Sequence, residues 1–308
     1  MDRTFCLHNA TVYTGITVLP QASVIVRDGQ IEDVISARRV SKKNISPDIP
    51  AVDLSGHIVA PSFIDTHIHG IHGFDTSDAS TESILEMSKA LPAYGVSGFC
   101  PTLYPHGEER HLDCIRAVSR AVGKEQGAKI LGLHLEGPFI SRDKHGVLDP
   151  DHLREADPAL LEKYLRAADG HIAIMTVAPE LKNMRELALF AAKKGIVLSA
   201  GHSNATYEQM LEGIQAGILH STHFFNAMRR LHHRDPGVVG TILIHPEISC
   251  EIIADGYHVH PVYIKMLARG KPADQIVLIT DALRPTGQET GPLIANNEEV
   301  FLRNGLFV

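Results

Sequence analysis

The stretch Pro61-Ser62-Phe63-Ile64-Asp65-Thr66-His67-Ile68-His69-Gly70 decides how the rest of the chain is read. An apolar run ends here in two histidines, one residue apart, and a glycine. Side chains alternate along a strand, so His67 and His69 face the same side and can grip one cation between them. Ligands delivered at a strand's C-terminal end belong at the mouth of a parallel α/β barrel, where active sites are built.

The flanking sequence agrees. Taken back to Ile58, the run gives a first strand, Ile58 to Ile68. Seven more follow: Val96 to Leu103, Lys129 to Leu135, Ile172 to Ala178, Ile196 to Ala200, Leu219 to Phe224, Ile248 to Ala254 and Ile276 to Thr280. Between them lie amphipathic helical patterns, among them Thr81 to Tyr94, Pro158 to Ala168, Asn183 to Lys194 and Tyr207 to Ala216. Alternating strand and helix patterns indicate parallel βα units, and eight strands close a barrel. The expected fold is therefore α/β, a (β/α)8 TIM-type barrel over residues 58–290.

Residues 1–57 read instead as short strands, Thr11 to Tyr13, Ala22 to Val26 and Ile31 to Ile35, with Asp28-Gly29 as a hairpin turn. The tail from Glu298 to Val308 is hairpin-like too, with Asn304-Gly305 as its turn. Residues 1–57 plus 291–308 are thus expected to make a small β-sandwich domain. The sequence stops before any helix that would follow the eighth strand and cover the barrel's last seam.

Composition narrows the class. The chain has 308 residues, 44% hydrophobic and 21% charged, with a formal net charge of −7. This is globular material, long enough for one large domain and a small one. The negative balance argues against a chain that neutralises nucleic-acid phosphates, which needs clustered Lys and Arg. The pair Lys42-Lys43 is too short to count. Cys6, Cys100, Cys114 and Cys250 lack C-x-x-C spacing, so neither a thiolate zinc site nor a disulfide framework is indicated, and a reducing cytoplasm fits best. No run reaches the ~20 apolar residues of a membrane span, and Met1 to Ala10 has no signal-peptide core. Histidine is the outlier, at 19 residues.

Those histidines fall where chemistry is expected. Besides His67 and His69, Glu136 ends the third strand, His202 the fifth, His223 the sixth and Asp281 the eighth. One histidine at a strand end is ordinarily a hydrogen-bonded core residue. A barrel without a cation, however, would bury this whole set at one mouth, each group costing several kcal/mol to desolvate unpaired. Nitrogen and carboxylate donors without thiolate suit zinc, with iron, manganese or cobalt allowed by the same geometry. A divalent ion lowers the pKa of a coordinated water toward ~7 and polarises a carbonyl oxygen, as hydrolysis of an amide at neutral pH requires. Asp281 is then the expected general base, taking the water's proton and passing it to the leaving amine.

Alongside the opening stretch stand Gly132-Leu133-His134-Leu135-Glu136-Gly137-Pro138-Phe139, Gly201-His202-Ser203-Asn204-Ala205, Thr222-His223-Phe224-Phe225-Asn226-Ala227-Met228, Asp255-Gly256-Tyr257-His258 and Thr280-Asp281-Ala282. In this order and spacing, the chain resembles the N-acetylglucosamine-6-phosphate deacetylases of the amidohydrolase superfamily over nearly its whole length. The resemblance implies removal of acetate from an N-acetylated amino-sugar 6-phosphate. It implies that Glu136, His202 and His223 hold the main metal, that His67 and His69 mark a two-metal chain, and that Asp281 is both ligand and acid/base.

Related enzymes bridge two metals with a carbamylated lysine from the fourth strand; here that strand ends Val177-Ala178-Pro179, which leaves Glu136 as the bridge. Around the substrate the resemblance implies Val147, Asn226, Ala227, Arg234, Asp255, Gly256, Tyr257 and His258. Of these, Asn226, the Ala227 backbone and Arg234 fall near the phosphate, with Arg234 in the cationic loop Arg229 to Arg234, and His258 near the sugar or the scissile carbonyl. Leu148 stands where the family commonly carries His or Gln, with His145 nearby. A homodimer is implied, since the family often draws a phosphate-binding group from the neighbouring subunit. Two alternatives stay open: a deacetylase for another N-acetyl-hexosamine, such as N-acetylgalactosamine 6-phosphate, and a weakened homologue that binds a sugar phosphate without turnover.

Overall fold

The computed structural model describes residues 4–40, 48–288, 292–295, 298–303 and 305–307; Lys42, Lys43 and Asn304 lie outside the described residues. The chain divides into two compact units, Met1–Ser62 and Phe63–Val308.

In the first unit the strand Phe5–Tyr13 is antiparallel to Val18–Arg27 and parallel to both Ala51–Asp53 and Ile58–Val59. Val18–Arg27 turns back into Gln30–Ile35 through Asp28 (φ 51°) and Gly29 (φ 76°). Two left-handed residues give the hairpin turn whose twist matches its strands, as the Asp-Gly pair predicts. Ala10, Val12, Ala22 and Val24 form a small core on this sheet.

The second unit is a barrel of parallel strands: Phe63–Ile68, Val96–Leu103, Leu133–Glu136, Ile172–Val177, Val197–Ala200, His220–Ser221, Ser249–Ile253 and Ile276–Ile279. Each pairs with the next in chain order. The first seven are followed by the helices Thr81–Ala90, Glu108–Ala121, Pro158–Ala167, Met184–Lys193, Tyr207–Ala216, Gly237–Ile244 and Pro261–Gly270. Side chains set several helix starts. Ser80 accepts from the Ser83 amide, Asp157 from the Ala159 and Leu160 amides, and Thr206 and Gln209 cap each other reciprocally. These bonds satisfy first-turn amides that have no partner inside the helix. Phe99, Phe139 and Phe224 are fully buried, each contributing roughly 1.5–3 kcal/mol relative to exposure. Among the described residues no helix is long and apolar enough to cross a membrane.

One expectation is corrected. The sixth strand, read as Leu219 to Phe224, is confined to His220–Ser221 because the backbone turns to positive φ at His223 (23°) and Phe225 (80°). In the tail, Ile294–Ala295 pairs with Glu298–Glu299, and Leu302–Arg303 with Leu306–Phe307.

The barrel closes at the C-terminal ends of its first and last strands. The Asp281 amide donates to the His67 carbonyl at 2.9 Å, and the amides of His69 and Gly70 donate to the Ala282 carbonyl, also at 2.9 Å. The Thr280 hydroxyl donates to the Asp65 carboxylate at 2.5 Å. Burial pushes the Asp65 carboxyl up to about 6 in spite of its hydrogen bonds from Thr280 and His67. Elsewhere on the same two strands Phe63, Ile64 and Leu278 are 59%, 52% and 51% exposed, and no helix among the described residues follows the eighth strand.

Candidate metal centre

Side chains from five strand ends meet at the barrel mouth as two triads, Glu136 with His202 and His223, and His67 with His69 and Asp281; within each triad the donor atoms lie within 4.8 Å of one another. In the first, Glu136 Oε1 is 3.0 Å from Nε2 of His202 and 3.0 Å from Nε2 of His223, and those nitrogens are 3.0 Å apart. In the second, Nε2 of His67 and Nε2 of His69 are 3.2 Å apart, each 3.3 Å from Asp281 Oδ1. Glu136 faces both: its Oε2 is 3.3 Å from His69 Nε2, and its Oε1 is 3.6 Å from His67 Nε2. All but Asp281 are almost wholly buried.

The local backbone is shaped for this convergence. His202 (φ 46°), His223 (φ 23°) and Asp281 (φ 50°) adopt positive φ directly after their strands. A side chain there costs of order 1–3 kcal/mol, a strain that persists where the surrounding structure demands it.

The tautomers follow from the partners. His69 Nδ1 lies 3.0 Å from the Thr102 carbonyl and His202 Nδ1 lies 2.8 Å from the Lys144 carbonyl. A carbonyl can only accept, so in each ring Nδ1 donates and Nε2 is the nitrogen left to hold a cation or a proton. Lone pairs and carboxylate oxygens aimed at one another at 3.0–3.3 Å repel unless a positive charge lies between them. The titration behaviour agrees. Burial pushes the His67 imidazole down, yet Asp281, Glu136 and Glu251 outweigh it and carry the group up to about 10. Burial likewise opposes ionisation of Glu136 and Asp281, but the facing histidines hold both carboxyls well below their ordinary range. The donor set fits divalent cations, which bind such sites in exchange for protons.

Beneath the triads the barrel interior is polar. His134 bonds through Nδ1 to the Thr66 carbonyl at 2.9 Å and through Nε2 to the Thr176 hydroxyl at 2.9 Å, and Thr176 and Ser199 both meet the Thr222 hydroxyl, at 2.8 and 2.6 Å. Tyr104 stacks flat on His69, with ring centroids 3.8 Å apart and planes 3° from parallel. The Glu251 carboxylate lies 3.2 Å from His67 Nδ1. None of Thr102, Tyr104 and Glu251 was singled out from the sequence. Only Glu251 carried a signal, as an acid inside the apolar run Ile248 to Ala254.

A cavity of about 730 Å³ opens over the triads, within the usual range for small-molecule sites. Of the residues expected around substrate, Val147, Asn226, Ala227, Asp255 and His258 line it, whereas Arg234, Gly256 and Tyr257 do not. His258 Nδ1 is 2.7 Å from Asp255 Oδ2, while Asp255 Oδ1 accepts from the Tyr257 and His258 amides. Leu148 is buried against Tyr104, Ile140 and Leu153, and His145 Nδ1 bonds to its carbonyl at 2.8 Å. In the cationic loop Arg229 is paired with Asp235 at 2.6 Å, and Arg234 is exposed. A second cavity, about 440 Å³, lies where the later strands begin, among residues such as Ile196, Leu219 and Val277. It is far poorer in ligand atoms and at the end of the barrel that does not carry chemistry.

Comparison with known proteins gives a consistent picture. Residues 58–300 match the amidohydrolase family, and residues 4–59 match the NagA composite domain. An N-acetylglucosamine-6-phosphate deacetylase of Bacillus subtilis (strain 168) is 34% identical over 98% of this chain and 76% of its own length. The structure of an N-acetyl-D-glucosamine-6-phosphate deacetylase mutant from Mycobacterium smegmatis, in complex with N-acetyl-D-glucosamine-6-phosphate, superposes with a TM-score of 0.87 at 27% identity, covering 99% of this chain and 77% of that one. The Thermotoga maritima deacetylase superposes with a TM-score of 0.83 at 30% identity, covering 98% and 77%.

Proposed function

The chain belongs to the amidohydrolase family, and we propose that it hydrolyses the N-acetyl group of N-acetylglucosamine 6-phosphate, giving glucosamine 6-phosphate and acetate. One observation carries this reading: two cation-seeking triads share Glu136 below a cavity sized for a sugar phosphate. The similarity, along nearly all of this chain, to deacetylases of that name supports it.

Glu136, His202 and His223 would hold one divalent ion, and His67, His69 and Asp281 a second, with zinc best suited to the donors. Such ions, when bound, activate water and polarise the amide carbonyl. Asp281 is ionised at neutral pH, because His67 and His69 hold its carboxyl low against the effect of burial. It therefore accepts the proton of the attacking water and returns it to the nitrogen as the C–N bond breaks, so that the amine departs neutral. His258, steadied by Asp255 at the cavity wall, is placed to meet the acetyl carbonyl or a sugar hydroxyl. The Asn226 amide and the Ala227 backbone offer hydrogen bonds to the phosphate. Arg234, exposed and away from this chain's own cavity lining, is suited to the phosphate in a second copy, which is the case for a homodimer. The four cysteines are free and buried, in keeping with a reducing, cytoplasmic setting.

The test is acetate release from N-acetylglucosamine 6-phosphate, N-acetylgalactosamine 6-phosphate and unphosphorylated N-acetylglucosamine, with elemental analysis of the same preparation. The expected result is fastest turnover of the first, and between one and two divalent ions per chain. Metal-loaded protein that releases no acetate from any of the three would overturn the reading.

A further inference from the structure

Glu251 is a fully buried carboxylate in the middle of the seventh barrel strand, Ser249–Ile253. Burying an ion is costly unless each oxygen is met by a donor, and its oxygens are met from several directions. Oε1 accepts from the Thr66 hydroxyl at 2.8 Å and lies 3.4 Å from His220 Nε2. Oε2 lies 3.2 Å from His67 Nδ1 and accepts from the His223 amide at 3.4 Å. The Glu251 backbone carbonyl, in turn, accepts from the Phe224 amide at 2.8 Å. Its side chain and main chain thus hold the two peptide groups of the turn in which His223 adopts its positive φ.

One contact orients a ring. A carboxylate facing Nδ1 makes that nitrogen a donor, which leaves Nε2, aimed at Asp281, His69 and Glu136, as the nitrogen a cation would take in exchange for its proton. The other contact orients a turn, and through it the Nε2 of His223. These two residues belong to different triads. The grouping of Glu251 with His67 and His134 is not a third cation site in its own right, because both nitrogens of His134 are already engaged by Thr66 and Thr176.

We propose that Glu251 is a positioning residue for both triads at once, fixing the ring of His67 and the turn of His223 without itself touching cation or substrate. The proposal rests on the metal reading of the mouth. It places part of the coupling between the two sites in a side chain beneath them, in addition to the shared Glu136 above.

The experiment titrates metal-free wild type and Glu251→Gln with Co2+, reading each site's dissociation constant by chelator competition and its ligand field by visible absorption. The amide keeps the size of the side chain and removes its charge. The variant should weaken binding at the His67 triad by about 10–100-fold, weaken the His223 triad by less, and shift the visible bands, while the circular dichroism of the metal-free protein stays that of wild type. If Glu251→Gln does not fold, Glu251→Asp takes its place, with the same losses expected from a carboxylate drawn back from its partners. Unchanged constants and bands in the folded variant would overturn the positioning role and leave the metal reading intact. A wild-type chain that binds no Co2+ would overturn both.

Discussion

The two triads share a mouth and a carboxylate, yet different parts of the fold hold them. Glu136 ends the third strand and His202 and His223 follow the fifth and sixth, in a stretch of sheet where each strand is laddered to the next. His67, His69 and Asp281 straddle the seam, where the first and last strands meet through a few hydrogen bonds at their ends. The difference teaches that the barrel supplies the first triad as a product of ordinary strand pairing, and the second only once it has closed.

The sharpest way to break this comparison is Asp281→Asn. It removes the proposed base while keeping the size of the side chain, so kcat should fall by ~10²–10⁴-fold, with the Glu136 triad still loaded by elemental analysis. Normal turnover would deny the seam its catalytic part. Next comes His202→Asn, which should lose most of the bound metal, and activity with it, because the triad is left with two donors. Metal content equal to wild type would show that the seam triad is the principal site.

A smaller effect probes the seam itself. Thr280→Val deletes the hydroxyl that bonds to Asp65 and should cost ~1 kcal/mol of stability in urea unfolding, with more if Asp65 is left unsatisfied. Metal affinity should weaken at the His67 triad and hold at the other.

The smallest effect on turnover is expected far from both triads. Burial pushes His106 down to about 4 and His111 to about 3, from an ordinary 6.5. Both are neutral in the folded chain, whereas in the unfolded chain they take up protons as pH falls below about 6.5. Their contribution to stability is therefore complete above that pH and is lost as pH falls from there toward 4 and 3. His67 and Asp65 titrate with the opposite sign, so this decline is read in urea midpoints of metal-free protein between pH 7.5 and 5 (about one unit above and 1.5 below that value) as the difference between wild type and a variant. His111→Leu should flatten it.

How much of this was legible in the sequence follows from how local each signal is. An imidazole or acid that ends a strand run announces both its type and its place, so the six donors could be named before their convergence was seen. Glu251 could not be given a role that way, since the ring it orients is 184 residues earlier. The tail's turn residues foretell a hairpin, but a two-residue arm carries too little pattern to name its partner. Arg234 sits in a loop whose cationic character is plain while its direction is not, because the ion pair of Arg229 with Asp235 that shapes the loop depends on packing.

The bond from the Asp281 amide to the His67 carbonyl has a further consequence. It makes the placement of the proposed base and the last rung of the barrel a single structural event, so on that proposal a chain that has folded everything except its closing edge would be chemically silent rather than sluggish. Deuterium uptake at that one amide would therefore serve as a gauge of how much of a preparation is competent, read without any substrate at all.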